Sequence, residues 1–428
     1  MYSSYISGIL IFLSFILSIY SYFFYKDLLI ISGLCAWISF FIFFITLQKK
    51  KLLLVLLSLS FIFFSICLFN SYKINYYSIF TVNQYLITLL IGVGFLRLIA
   101  TPNNISLNEV PPKGIKSFVK TYFGVHLFAS VINLSALILI ADKMYKKNFL
   151  TNTQIILLTR SFANDAYWSP FFVAFAAAVV YMPKLNTSII LVNGIVLSFI
   201  GFLITYYEVK NDRNNLINIF EGYPISFSSL YLPFSLAFLV LLTNYFFPQI
   251  KVIILISLFS FFLTLIILPI KKSIKKAISE ITNHILVELP KMKVEISLFL
   301  VAGMFGVIMS SILLGLNFQL PFEKFDWIIA SILLAIFIFL GFIGIHPLIT
   351  IAIIGDLLNQ VDHTLLAVTF LMAWATTVST SPFSGSNLTI VSRYDFNAKD
   401  IFKLNIFYAL KMYVVSVIFL FILYKYLN

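Results

Sequence analysis

Apolar runs of about twenty residues follow one another along the whole chain, and they leave little freedom of fold. A helix needs about 20 such residues to cross the hydrocarbon core of a bilayer. Here they fall at 5–24, 28–48, 52–69, 79–100, 117–142, 150–182, 188–207, 227–247, 251–270, 297–316, 327–356, 363–392 and 404–424. The composition agrees: 61% of the 428 residues are hydrophobic and 11% are charged, with mean hydropathy +1.02. So few charges cannot keep a soluble surface wet. The first run has no basic residue before it and no small-residue cleavage site, so it reads as a mature helix and not a signal peptide. Cys35 and Cys67 both sit inside apolar runs and read as free, buried thiols, not a disulfide framework or a metal site.

Charge placement turns these runs into a topology. The excess of basic residues gives a net charge of +13, and in a membrane protein such an excess belongs to cytoplasmic loops. Lys49, Lys50 and Lys51 set one loop inside, which puts the N-terminus inside as well. Two strongly basic segments, one with Arg97, Lys113, Lys116 and Lys120 and one with Lys143, Lys146 and Lys147, flank the single run 117–142. Both stay inside only if that run enters and returns as a re-entrant hairpin, with its tip around Ala129–Asn133. The run 327–356, between Lys324 and Asp362, reads as a second hairpin opening outside. With both hairpins, 21 Lys/Arg lie inside, including the 271–296 linker, Lys210 and Arg213, and Arg393, Lys399 and Lys403. Lys26, Lys73, Lys184, Lys251, Lys324 and Lys425 lie outside, and Arg160 and Lys411 lie within the membrane. The expected fold is thus an all-α polytopic membrane protein of about eleven transmembrane helices plus two opposed hairpins. It would sit in a bacterial inner membrane with its C-terminus extracytoplasmic. The basic excess is then topology, not a nucleic-acid footprint.

Two stretches about 213 residues apart resemble each other. Val131-Ile132-Asn133-Leu134-Ser135, running to Asp142, answers Gly344-Ile345-His346-Pro347-Leu348, running to Asp356. Downstream, Trp168-Ser169-Pro170-Phe171 answers Thr380-Ser381-Pro382-Phe383. Ser-Pro-Phe is a weak match by itself; its weight comes from following a hairpin in each of two halves whose opposite orientation the charges set independently. Four segments follow: scaffold helices 1–78, a first inverted repeat 79–207, connecting helices and linker 208–296, and a second repeat 297–428. Inverted repeats with interrupted helices are a transporter pattern, because a break exposes backbone groups and helix ends to a substrate.

This architecture, over about residues 79–426, resembles the ion-transporter superfamily: divalent anion/sodium symporters, arsenite-pump membrane subunits and sodium/proton antiporters of the same fold. The resemblance implies elevator-type alternating access, often in a homodimer. The dicarboxylate symporters carry Ser-Asn-Thr at both hairpin tips. This chain has Ile132-Asn133-Leu134-Ser135 and Ile345-His346-Pro347, so their specificity does not carry over.

The chemistry-bearing residues gather at the two interrupted runs. Arg160 lies about 16 Å into its segment counted from Phe149, with Asp165 deeper, and ionisable groups at such depth are costly enough to suggest function. Two readings stand: a structural pair of Arg160 with Asp165 or Asp142, or a coupling-ion site at Asp165 with Arg160 as an anion contact. Asn164 and Ser169 can satisfy a ligand or the carbonyls freed by Pro170. The second break collects Thr376, Thr377, Ser379, Thr380, Ser381, Pro382, Ser384, Gly385, Ser386 and Asn387. Small residues also serve close helix packing, but Pro-Phe-Ser-Gly-Ser-Asn is a poor helix and points to a cavity lining. Asn133, Ser135, His346 and Thr350 are the polar hairpin residues. The expected substrate set is Asn133, Ser135, Arg160, Asn164, Ser169, His346, Thr377, Ser381, Ser384, Ser386 and Asn387. The coupling ion, sodium or a proton, falls to Asp165, Asn164, Thr376 and Thr380. No cofactor, resident metal or enzymatic activity is expected, since the P-loop, His-Glu-x-x-His and Gly-x-Ser-x-Gly patterns do not occur. The rival reading is a polymerase or ligase of envelope polysaccharide assembly, which would need a long extracytoplasmic loop that this topology does not provide.

Overall fold

The computed structural model describes residues 2–47, 50–100, 112–145, 149–211, 217–223, 231–355 and 357–428. Lys49, Lys146, Lys147, Arg213 and Asp356, used in the charge and repeat readings, lie outside these residues. The chain is all-α. Its helices run α1 (Tyr2–Phe23), α2 (Leu28–Phe44), α3 (Lys51–Phe69), α4 (Tyr76–Thr81) and α5 (Gln84–Ala100). Then come α6 (Gly114–Ile132), α7 (Leu134–Tyr145), α8 (Asn152–Ala163), α9 (Val173–Tyr181) and α10 (Thr187–Lys210). These are followed by α11 (Tyr231–Phe246), α12 (Val252–Lys272), α13 (Ile274–Asn283), α14 (Lys293–Gly315) and α15 (Trp327–Phe342). The last four are α16 (Pro347–Ile354), α17 (His363–Thr380), α18 (Gly385–Tyr394) and α19 (Ala398–Leu427). Among the described residues, eight helical stretches are long and apolar enough to cross a membrane, and the protein is a multi-pass membrane protein.

Helix starts follow local capping chemistry. Thr151 and Gln154 close a reciprocal capping box on α8, satisfying two amides that the first turn leaves free. Asn186, Asp326, Asp362 and Asn397 accept first-turn amides of α10, α15, α17 and α19.

The helices form two compact units, Met1–Ala100 with Ser235–Pro321 and Leu348–Gln360, and Thr101–Phe234 with Phe322–Pro347 and Val361–Asn428. The units cut across the four sequence segments, because helices distant in the chain pack together. In the first unit α1 packs on α2, α5 on α12, and α3 on α14. Gln84 of α5 ties α1 and α2 together there, donating to Ser14 Oγ (2.5 Å) and Ser32 Oγ (2.7 Å). Cys35 and Cys67 are buried free thiols.

The second unit holds α6 and α7. Lys113, at the start of α6, pairs with Glu221 (2.9 Å), whose backbone oxygen accepts from Gln154 of α8 (2.9 Å). Both helices therefore begin at one level. The far end of α6 lies beside Phe171, whose oxygen accepts from Asn133 Nδ2 (3.1 Å). To reach α8 the chain must come back, and it turns at Asn133 (φ 50°, ψ −138°), leaving α7 as the return arm. The run 327–356 is broken as well, at Gly344 (φ 100°). Its arms are divided between the units: α15 packs on α17 and α19 in the second, and residues from Leu348 onward belong to the first.

Candidate functional site

Both Ser-Pro-Phe segments interrupt helices, and they do so in the same way. After α8 come a 3₁₀ turn, Asn164–Tyr167, and an irregular stretch that ends where α9 begins. After α17 the chain leaves the helix at Ser381 and restarts at α18, capped by Ser384. Proline removes a backbone donor at each break. The serine before it makes the same two bonds in both places. Ser169 Oγ donates to the oxygen of Ser130, 39 residues upstream in the last turn of α6 (2.5 Å), and accepts from Phe171 N (3.2 Å). Ser381 Oγ donates to the oxygen of Gly341, 40 residues upstream in the last turn of α15 (2.8 Å), and accepts from Phe383 N (3.1 Å). Helix α17 packs against α8, the 3₁₀ turn and α9, so the interrupted segments lie side by side in one unit. Tyr167, in the 3₁₀ turn, lies against α17 beside Thr376.

Arg160 pairs with neither Asp165 nor Asp142. Its guanidinium is 1% exposed, bonded to Glu208 (2.5 Å), Asn405 Oδ1 (2.8 Å) and the Leu404 oxygen (2.9 Å), and stacked 4.3 Å from the Tyr408 ring centroid. It pins α8 to α10 and α19, with Lys411 on the other carboxylate oxygen of Glu208 (2.6 Å). Residues 160 and 165 sit about 140° apart around a helix, so their side chains leave in different directions. Asp142 is instead engaged by Arg393 (3.0 Å) and Tyr394 (2.8 Å) of α18.

Asp165 faces a residue that the sequence reading passed over. His126 Nδ1, on α6, lies 2.8 Å from Asp165 Oδ1 and 3.0 Å from the Ser161 oxygen. The N–H is aimed at the carbonyl, so the carboxylate is in contact without an aligned hydrogen bond, and its Oδ2 has no partner among the described residues. At Nε2, the Trp168 indole donates (3.1 Å) and Ser198 Oγ lies 3.2 Å away. An indole N–H can only donate, so Nε2 accepts and the ring proton sits on Nδ1. Asp165 is fully buried and His126 is 7% exposed. The result is an acidic group beside a neutral imidazole, with no Lys or Arg bridging it among the described residues.

Asn164, next to Asp165, is fully used. Its Nδ2 donates to Tyr122 OH (2.7 Å) and its Oδ1 accepts from Tyr408 OH (2.9 Å), against Gly201 of α10. Asn133 marks the hairpin turn with its Oδ1 unpaired among the described residues, and Ser135 is half-buried in the first turn of α7. At the second break Asn387 Nδ2 gathers the oxygens of Val378, Ser379 and Ser381 (3.2, 3.3 and 2.9 Å). Ser384 and Ser386 also face the Val378 oxygen. Thr380 meets Ser379 (3.1 Å), and Thr376 bonds back to the Met372 oxygen (2.8 Å). Thr377 Oγ1, packed against Gly341, and Asn387 Oδ1 are buried without partners among the described residues. His346 stands edge-on to Trp374 at 4.8 Å. All of these residues fall in the second unit. His126 had a legible signal, being an ionisable residue inside an apolar run. Glu208 was hidden by its place at the end of one, where charge is ordinary.

No protein-family model matches the chain, and no curated protein matches it.

Proposed function

We propose that this protein is a secondary active transporter of a small solute, coupled to protons through Asp165 and His126. The observation that carries the reading is the Asp165 carboxylate, fully buried at an interrupted helix, touching a neutral imidazole and unmatched by a cation among the described residues. An isolated charge there is costly, so the group is best held with a proton that it can give up when access changes. The imidazole, whose Nδ1 already carries a proton, is placed to stabilise the carboxylate once that proton has left. A sodium ion would need several converging oxygens in place of the His126 N–H.

The solute site in this reading lies along the two breaks, at Asn133, Ser169, Thr377, Ser381 and Asn387. The unpaired Asn133, Thr377 and Asn387 oxygens supply its acceptors. Arg160, anchored by Glu208, holds the frame and leaves the ligand set. The matched serine joints support a repeat, and the placement of basic residues supports its opposite orientation with re-entrant segments, as in the ion-transporter superfamily with alternating access of the elevator type.

The decisive test is uptake by purified protein in proteoliposomes under imposed proton or sodium gradients. Asp165→Asn abolishes proton-driven uptake in this reading; undiminished proton coupling in that variant removes Asp165 from the mechanism. Orientation is checked separately with Tyr145→Cys and Gln360→Cys, which should react with impermeant thiol reagents from opposite sides.

A further inference from the structure

Between α12 and α13 the chain turns sharply at Ser273 (φ 91°), and α13 leaves an apolar stripe uncovered. Ile274 and Ile278 are 70% and 61% exposed, and Ile281, on the same stripe, is half-buried. Ala277 (1%), on the neighbouring face, packs into the first unit, as does His284 (2%) just beyond the helix. Lys275 and Lys276 point to the remaining side and are exposed. The only acid of α13, Glu280, is taken by Lys272 (2.8 Å), and Lys271 donates to the Ile99 oxygen that ends α5 (3.1 Å).

We infer that α13 lies in the bilayer surface as a binding element for anionic lipid headgroups. Three features choose this occupant. The stripe follows directly on α12, one of the membrane-crossing stretches, so it sits where a helix meets headgroups. An exposed isoleucine stripe next to lysines is the pattern of a helix that buries one face at the acyl boundary and turns the other to the headgroups. The charge is complementary to an acidic leaflet: after Glu280 is matched, Lys275 and Lys276 carry no opposing carboxylate on their own helix. Facing elements supply Arg97, paired with Glu288 (3.3 Å), and Lys291, paired with the same Glu288. They therefore add positive charge and do not cancel it.

The test uses the full-length protein in mixed micelles with equal amounts of phosphatidylglycerol and phosphatidylcholine, counting retained lipids by native mass spectrometry. Phosphatidylglycerol should be retained in preference, and less so as salt rises. Each lysine at a leaflet surface is worth about five-fold, so Lys275→Gln/Lys276→Gln should weaken phosphatidylglycerol retention roughly 25-fold and leave phosphatidylcholine unchanged. Ile274→Ser/Ile278→Ser should weaken both lipids together. Equal retention of the two lipids by wild type overturns the inference, and so does a lysine variant that keeps its preference. An isoleucine variant that keeps its lipids but changes oligomeric state overturns it too, because the stripe is then covered by protein.

Discussion

Glu208→Gln and Asp165→Asn remove one carboxylate each from the same unit, and the structure sets their costs apart. The Glu208→Gln change would leave the Arg160 charge in place, 1% exposed, with the Asn405 and Leu404 oxygens and the Tyr408 ring as its remaining partners. Breaking a buried ion pair from one side costs about 3–5 kcal/mol. Glu208 is only part-buried, at 26% exposed, and the amide oxygen of the variant can still accept one guanidinium bond. The expected loss is therefore at the low end, about 3 kcal/mol. Asp165→Asn strands no cation. It replaces a proton-bearing carboxyl, already short of partners, with an amide of nearly the same shape, so neither a stranded charge nor a cavity is created. The added amide donor falls at the low end of the cost of an unsatisfied group, placing the variant within about 1 kcal/mol of wild type. Equilibrium unfolding in mixed micelles of dodecyl maltoside and dodecyl sulfate, followed by far-ultraviolet circular dichroism, reads both numbers. If Asp165→Asn loses as much stability as Glu208→Gln, Asp165 is holding the fold together, and its separation from Arg160 as a working group fails.

The other expectations concern single contacts. Trp168→Phe removes the donor that holds His126 Nε2 as an acceptor, so uptake should persist with a displaced pH profile; an unchanged profile would show that the ring tautomer does not matter. Gly194→Ala places a carbon hard against the Tyr167 oxygen, which should cost about 1–3 kcal/mol in the same unfolding assay as α10 is pushed off the 3₁₀ turn. At the hairpin turn, Asn133→Gly relieves a positive φ but loses the bond to Phe171, leaving stability within about 1 kcal/mol. Asn133→Ala loses the bond and keeps the strain, and should be the less stable of the two.

The apolar runs located most of the membrane helices because lipid permits few alternatives at that length. Pro170 and Pro382 marked the breaks because proline withholds a donor from the helix ladder, although α12 carries Pro269 in its last turn without ending there. The charges around 117–142 led to the expectation of a re-entrant hairpin with its tip around Ala129–Asn133, and the helical run does break at Asn133. What the sequence concealed were pairings between distant segments. Arg160 meets Glu208, 48 residues away, and Asn405, 245 residues away, and no spacing rule joins them. Helical geometry did contain a warning against the local pair, since positions five apart diverge around the axis. His126 needed attention to each ionisable residue in an apolar run, not only to those near the tip. The division of α15 and α16 between units depends on how non-adjacent helices pack, which hydropathy does not encode.

The serine joints bear on how freely such a chain can drift. Each break is tied to an upstream helix by one serine hydroxyl acting on main-chain atoms, while Asn133 at the first and Ser384 and Asn387 at the second take up further main-chain groups. Substitution next to a joint leaves its bonds untouched, so Asn164 and Asp165 can stand before one break while Thr376 and Thr377 stand before the other. Breaks built this way can carry charge in one place and plain hydroxyls in the other. In related sequences, the two serines should then outlast the acid and the hydroxyls beside them.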